Sequence, residues 1–502
     1  MVKGGARMLD FETSAGNIYA WDDDTGFIIP FSATMKAVMH EAFGQEKMSK
    51  DDVIKKLKEN YSEDQIAFCY DWINKWDMIR PKDHECLFNQ DISATSIKRF
   101  LLRDGLSQLI LGVTEKCNFR CNYCVYSDNY EHTRMHSDIS MSSAIARRCI
   151  DYYITLFKEG KRYNPLRKPA IGFYGGEPLL NFDLIEDCVD YITNNYKEHN
   201  IRYYITTNGS LLDRKRADWL MEHDFGISIS LDGPEEEHNR NRVYINGKGT
   251  FNRVMKNVSK IMEEGYKNID SMPVFDWKSD LFKLDEFFNR EDVPPVSRVA
   301  PVSRNAGSKY YQQFTREDYD SFQKQIRCAR DHYFRNISAQ REAERPSFFH
   351  RLFGDSMEGT FLGIKSLYHP HPMMPVTNSC ILGTKLFIDV NGYFHACEKI
   401  NYDYSFGNVN DGVNFERIRK IMSDYISHMD KCSSCKASRR CSNCYLMFMN
   451  TGGFSLSSEV CKEMENEVRA ELSGLITIAE KNQWVVDGAD PNSKNIRKYY
   501  GD

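Results

Sequence analysis

Three regimes of apolar and polar spacing succeed one another along the chain. Over residues 1–85, "NIYAWDDDTGFIIPFS" contains two strand-like runs around the turn "DDDTG". "ATMKAVMHEAFG" then has apolar positions at helical spacing, and "SKDDVIKKLKENY" and "SEDQIAFCYDWINKWDMI" each open with a Ser cap and an acidic first turn. A hairpin and three helices make a winged-helix-like plan. A polar connector occupies 86–107. From 108 to 310 the pattern alternates. Strands are predicted at "SQLILGVT", "PAIGFYG", "IRYYITT", "FGISISL", "NIDSMPVF" and "VSRVAPV", with helical segments such as "SSAIARRCIDYYITLFKEG" and "TFNRVMKNVSKIMEEG" between them. Six β–α alternations predict an α/β domain built on a parallel sheet, either doubly wound or a partial barrel. A helical bridge (311–374), a cysteine-rich segment with a closing helix (375–482) and a tail (483–502) complete the plan.

Composition narrows the classes. No run of about 18 apolar residues occurs in the 502, and the N-terminal residues lack the apolar core of a signal peptide, so a cytoplasmic protein without membrane contact is expected. The formal net charge is −5, and residues 1–90 carry 11 basic against 16 acidic side chains. An acidic module is poorly suited to phosphate, so no nucleic-acid partner is expected; a peptide adding a strand to the hairpin edge fits better.

Cysteine changes the picture most. The 15 cysteines are odd in number and the chain shows no export signal, which argues for metal rather than a disulfide framework. Cys69, Cys86, Cys149, Cys188 and Cys328 stand alone and read as ordinary buried thiols. The other ten fall in two groups. Cys117, Cys121 and Cys124 follow the first predicted strand of the alternating region. Three thiolates leave one position open, whether for a zinc ligand such as His132 or His136 or for something bound at a four-iron cluster. "YGGEP", "TTNGS" and "SISLDGP" end the next three strands, where parallel folds assemble their sites. The second group is Cys380, eleven residues, Gly392, four residues, Cys397; then Cys432-x2-Cys435-x5-Cys441-x2-Cys444; then Cys461. Zinc knuckles are the plain alternative there.

These motifs together resemble the radical S-adenosylmethionine (AdoMet) enzymes that carry a C-terminal SPASM domain and act on peptides. The resemblance implies a partial (β/α)6 TIM-like barrel, an N-terminal winged-helix-like domain of the PqqD leader-recognition kind, and a C-terminal iron–sulfur domain. It implies AdoMet and three [4Fe-4S] clusters. Cys117, Cys121 and Cys124 would hold the first, with AdoMet on its open iron. Gly175, Gly176 and Glu177 would receive the AdoMet ammonium, Asn208 and Ser230 would contact its ribose and carboxylate, Arg242 would pair with the carboxylate, and the Tyr123 backbone would meet adenine. The family's His-Asp-x-x-Arg after "LDGP" is here His238-Asn239-Arg240-Asn241-Arg242.

By the same resemblance Cys432, Cys435, Cys441 and Cys461 ligate a distal auxiliary cluster, and Cys380, Cys397 and Cys444 a nearer one. The last spacing is two residues where the family has three. With no further cysteine between Cys380 and Cys397, the nearer cluster would have an iron open to a substrate thiolate or to an extraneous ligand. The implied activity is thioether crosslinking, sulfur to carbon, in a ribosomally made precursor peptide bound by its leader, with a flavodoxin or ferredoxin as electron donor. Carbon–carbon or carbon–oxygen crosslinking, formylglycine formation as in sulfatase maturases, and a redox-sensing binding protein are the competing functions.

Overall fold

The computed structural model describes residues 7–23, 26–43, 48–75, 93–130, 134–304, 308–336, 345–357, 382–400, 402–450 and 453–481. Cys86 and Cys380 lie outside them.

The N-terminal segment folds as a three-stranded antiparallel meander of β1 (Met8–Glu12), β2 (Ile18–Asp22) and β3 (Phe27–Pro30), followed by α1 (Ala33–Phe43), α2 (Lys50–Leu57) and α3 (Glu63–Lys75). The hairpin read from the sequence thus gains a strand ahead of it. Val38, Val53, Ile66 and Ile73 of the helices join Ala20 and Ile29 of the sheet in one small core. The other face of the sheet, with Leu9, Phe11 and Trp21, packs on the closing helix described below.

The segment read as a polar connector contains a helix, α4 (Ala94–Arg103), capped by Ser93. Its apolar positions Ile97, Leu101 and Leu102 are one turn apart and enter the main core, which a count of polar residues conceals.

The alternating region forms the expected parallel sheet, with β4 (Gln108–Thr114), β5 (Ala170–Gly175), β6 (Arg202–Thr207), β7 (Gly226–Ile229) and β8 (Ile269–Ser271) side by side in chain order. The curve continues through β9 (Val274–Phe275), which pairs in parallel with β10 (Ala300–Pro301). Helices α5 (Ser143–Gly160), α6 (Phe182–Tyr196), α7 (Arg214–Glu222), α8 (Glu235–Asn241), α9 (Phe251–Glu263) and α10 (Leu281–Phe288) connect them. Of these, α8 was not foreseen: it is short, polar and lacks an apolar stripe. The bridge helix α11 (Arg316–Arg335) begins with a capping box between Thr315 and Asp318.

The C-terminal segment completes the same sheet. Strand β11 (Lys385–Ile388) pairs in parallel with β4, opposite Gln108–Leu111, and β12 (Phe394–His395) extends it antiparallel. The β4 edge of the parallel sheet is therefore covered by residues almost 280 positions later. Helix α12 (Phe415–Ser427) and the closing helix α13 (Ser458–Lys481) follow. No helix among the described residues is long and apolar enough to cross a membrane.

Candidate functional site

The cysteine loop leaves the C-terminal end of β4 and is stitched to three neighbouring strand ends. On one side, the Gly176 and Glu177 N–H groups donate to the Thr114 and Lys116 carbonyls at 2.8 Å each. The glycines serve this approach: a Cβ on Gly175 would stand 2.3 Å from the Thr114 oxygen, and one on Gly176 2.2 Å from that of Lys116. On a second side, Asn118 donates to Ser210 Oγ (2.9 Å) and accepts from the Asn208 side-chain amide (2.9 Å). On a third, the Arg120 and Asn122 N–H groups donate to the Val243 and Asn241 carbonyls at 2.8 and 2.9 Å.

The three thiols stand close together, each half-buried. Burial pushes Cys117 up to about 12 and Cys121 higher still; Glu177 and Cys124 add to the rise at Cys117, and Cys124 and Cys117 add to it at Cys121. Burial also raises Cys124, opposed by the Tyr126 N–H and by Arg242 and Arg120. The Phe119 and Tyr126 N–H groups point at the Cys117 and Cys124 sulfurs, 3.4 Å away in each case. Thiols so placed stay protonated at neutral pH until a cation displaces the proton. The donor set fits an iron–sulfur cluster held by three thiolates, with backbone N–H groups directed at two of the sulfurs. Among the described residues no three Cys, His, Asp or Glu side chains converge as the ligands of a single ion do.

Around the triad sit two buried polar networks. Glu177 is fully buried, and burial raises its carboxyl to about 7 although it accepts from the Asn208 N–H (2.8 Å), Thr207 Oγ1 (2.7 Å) and the Leu179 N–H (3.1 Å). Both carboxylate oxygens are engaged by the chain, and a cationic ligand nearby would favour the ionised form. The second network centres on Asp232, which accepts from the Tyr123 hydroxyl (2.5 Å) and Arg242 Nε (2.9 Å). The Arg242 guanidinium lies over the Tyr123 ring, 5.4 Å from its centre. Burial works against its charge, but Asp232, Tyr123 and Cys121 beside it hold it protonated well above the usual range. Arg242, expected opposite the AdoMet carboxylate, is thus already paired with Asp232. Tyr123, expected to act through its backbone, also engages its hydroxyl. Ser230 lies at the end of β7 with its N–H on the Thr207 carbonyl (2.9 Å).

His238 and Asn239 are explained by the next helix. His238 is buried and burial lowers it to about 3. Its Nδ1 accepts from the Asp232 N–H (3.4 Å) and its Nε2 meets Thr250 Oγ1 (2.9 Å), a network that assigns a neutral ring protonated at Nε2. The Asn239 side-chain oxygen accepts from the Thr250 and Phe251 N–H groups (2.7 and 3.0 Å) and so caps α9 from outside. An Asp at this position would present the same kind of acceptor oxygen. Asn118 and Thr207 are not assigned a role by the sequence reading, although they lie inside the cysteine loop and in "TTNGS"; Asp232, in "SISLDGP", reads from the sequence as a strand-end residue that could equally be structural.

The second cysteine group divides spatially. Cys397 and Cys444 are neighbours: burial raises the Cys397 thiol, then Glu398, with Cys444 adding. Burial raises Cys441 to about 11, and nearby Cys435 and Cys461 add to it. Cys461, in the first turn of α13, likewise acts on Cys435. Cys432 precedes Cys435 by one tight turn, its carbonyl accepting the Cys435 N–H (3.2 Å). Among the lone cysteines Cys69, Cys149 and Cys188 are buried, but Cys328 is exposed on α11, contrary to expectation.

The profile of the Radical SAM superfamily matches residues 111–280, the span from β4 to the start of α10 that carries every loop around the triad. Residues 111–280 are a radical SAM domain. An uncharacterized protein of Methanocaldococcus jannaschii is 41% identical over 145 residues, 29% of this chain and 45% of that protein. A cysteine-type anaerobic sulfatase-maturating enzyme of Clostridium novyi is 24% identical over 355 residues, 66% of this chain and 85% of the enzyme. Thus the chain spans under half of the first relative and most of the second. The solved structure of native anSMEcpe with bound AdoMet shares the fold of the radical SAM domain and its surroundings, with TM-score 0.58 and 20% identity over 75% of this chain and 99% of that one.

Proposed function

We propose that the protein is a maturase of a ribosomally made peptide that joins a Cys sulfur of the peptide to one of its carbons. The observation that carries this reading is the spatial sorting of the cysteines: a half-buried triad after β4, a Cys397–Cys444 pair, and a Cys435–Cys441–Cys461 group. A reduced four-iron cluster with bound AdoMet would supply the chemistry that takes one hydrogen atom from a carbon; bonding of that carbon to the peptide sulfur would then release the thiol proton and one electron, which an auxiliary cluster would take up. The chain's residues hold and shield that chemistry. Cys117, Cys121 and Cys124 supply the thiolates, Glu177 offers a carboxylate to the AdoMet ammonium, and Asn208 and Ser230 border the same space. Cys380, Cys397 and Cys444 would hold the nearer auxiliary cluster, with too few protein thiolates to close it.

The N-terminal sheet supports a leader-bearing substrate. The outward carbonyls of β1 are taken by α13, Arg469 Nε donating to Asp10 O (2.8 Å) and Ser473 Oγ to Glu12 O (2.5 Å). No strand pairs with the outer side of β3 among the described residues, so β3 is the edge on which a leader would add. An electron donor of the flavodoxin or ferredoxin kind and a cytoplasmic location belong to the same reading.

A second reading is favoured by the relatives. Cysteine-type sulfatase-maturating enzymes span most of their length in the match, and a radical SAM cyclopropyl synthase of Paramaledivibacter caminithermalis is 24% identical over 231 residues. Dehydrogenation or carbon–carbon bonding of a peptide is therefore the alternative product.

Mass spectrometry separates them. The anaerobically reconstituted, reduced protein is incubated with AdoMet and a Cys-containing peptide encoded beside its gene. Loss of two hydrogens together with one alkylatable thiol is the expected result. Loss of two hydrogens with every thiol still free sinks the thioether and supports carbon-centred crosslinking.

A further inference from the structure

The distal cysteine group is built jointly with the N-terminal domain. Asp23, the residue after β2, is completely buried and its carboxylate is directed at the loop between Cys435 and Cys441. It accepts from Ser438 Oγ (2.5 Å) and from the Arg439 N–H (3.1 Å), and its carbonyl accepts from Arg439 Nε (2.5 Å). Within its own domain it accepts from Trp21 Nε1 (3.0 Å) and pairs with Arg7 (3.2 Å), whose side chain is 3% exposed. Arg7 donates onward to Ser438 Oγ (2.8 Å). The apolar contact is continuous with this: Leu9, Phe11 and Trp21 pack with Ala437, Val468 and Leu472, and Cys435 borders the same cluster. Helix α13 carries Cys461 at one end and clamps the β1 edge with Arg469 and Ser473 further along.

We propose that the N-terminal sheet is part of the housing of the distal iron–sulfur site, with Asp23 the residue that positions the Cys435–Cys441 loop. The five residues between those cysteines include no strand and no α-helix of their own. Their conformation is set by what they hydrogen-bond to: Asp23 and Arg7 hold Ser438, Asp23 holds Arg439, and Glu471 of α13 holds Arg440. Linkage makes the coupling reciprocal: a loop held by Asp23 binds the cluster more tightly, and a bound cluster holds the sheet on α13. The inference rests on the reading of Cys432, Cys435, Cys441 and Cys461 as ligands of a distal cluster.

The test is Asp23→Asn in the full-length chain, reconstituted beside the wild type, with iron content and electron paramagnetic resonance as readouts. Three four-iron clusters give about 12 irons per chain, and the variant is expected to hold about 8. One auxiliary resonance should disappear, while the resonance that responds to AdoMet remains. About 12 irons in both proteins overturns the role of Asp23 and leaves the cluster reading intact. About 8 in the wild type, with no further loss in Cys461→Ala, removes the distal cluster and the inference with it. If Asp23→Asn loses iron at all three sites, Cys461→Ala decides by hydrogen exchange. Faster exchange in β1 and β2, with β4 to β7 unchanged, supports the joint housing; unchanged exchange in β1 and β2 overturns it.

Discussion

Glu177 shows how much of one side chain's behaviour comes from neighbours distant in sequence. Its position after two glycines is legible in "YGGEP", but its partners Thr207 and Asn208 are about 30 residues away, on the next strand. Burial outweighs their hydrogen bonds and lifts the carboxyl from 4.5 to about 7. A carboxyl raised on folding contributes stability below pH 4.5 that is lost as the pH rises through about 7, a span of about 3 kcal/mol. Urea unfolding of the AdoMet-free protein at pH 5 and pH 8 should show this loss in the wild type relative to Glu177→Gln. A cationic ligand beside Glu177 reverses the preference, so AdoMet affinity should rise through pH 7 in the wild type and stay flat in the variant. Equal pH profiles would place Glu177 away from the ammonium.

Elements here are closed by residues outside them. Thr250 occupies the N-cap of α9 without a side-chain cap of its own, and Asn239, on α8, supplies it. Asn239→Ala should cost about 1 kcal/mol in chemical denaturation, and Asn239→Asp should restore most of it, since either side chain presents an acceptor oxygen. A loss that Asp fails to recover would show that the amide itself is required. The long helices α5, α6 and α13 were legible because a wide apolar stripe repeats over several turns. The helices α4 and α8 were not, because the first hides three apolar residues in a polar segment and the second has none to display.

At the scale of the whole molecule, the outer edge of β3 has no strand partner among the described residues. In the β2–β3 pair, Phe31 N–H reaches the Ile18 carbonyl (2.8 Å) and Pro30 has no N–H to give, so by alternation the Ile28 N–H points away from β2. Ile28→Pro removes an outward donor without taking a bond from the meander. Leader binding, followed by fluorescence anisotropy of a labelled leader, should weaken by about tenfold or more, the loss expected when a ladder hydrogen bond is lost and ring bulk enters the edge. Binding at wild-type affinity would move the leader off β3. The barrel sheet obeys the same logic at its other side, where β11 pairs with β4 and leaves that edge closed.

The sequence by itself determined the β–α alternation over a parallel sheet and the grouping of the cysteines along the chain, and left the strand order open between a doubly wound sheet and a partial barrel. Alternating apolar periods, strand-end loops and cysteine spacing are local patterns, and local patterns survive in one dimension. Only the tertiary structure decided what those loops touch: that the glycines of "YGGEP" make room for the cysteine loop, that Arg242 is paired with Asp232, that β11 joins the barrel sheet, and that Asp23 reaches Ser438. Each is a hydrogen bond or close approach between residues that chain order separates by ten to several hundred positions. Which partners satisfy a buried polar group depends on packing in three dimensions, and no period along the chain encodes it.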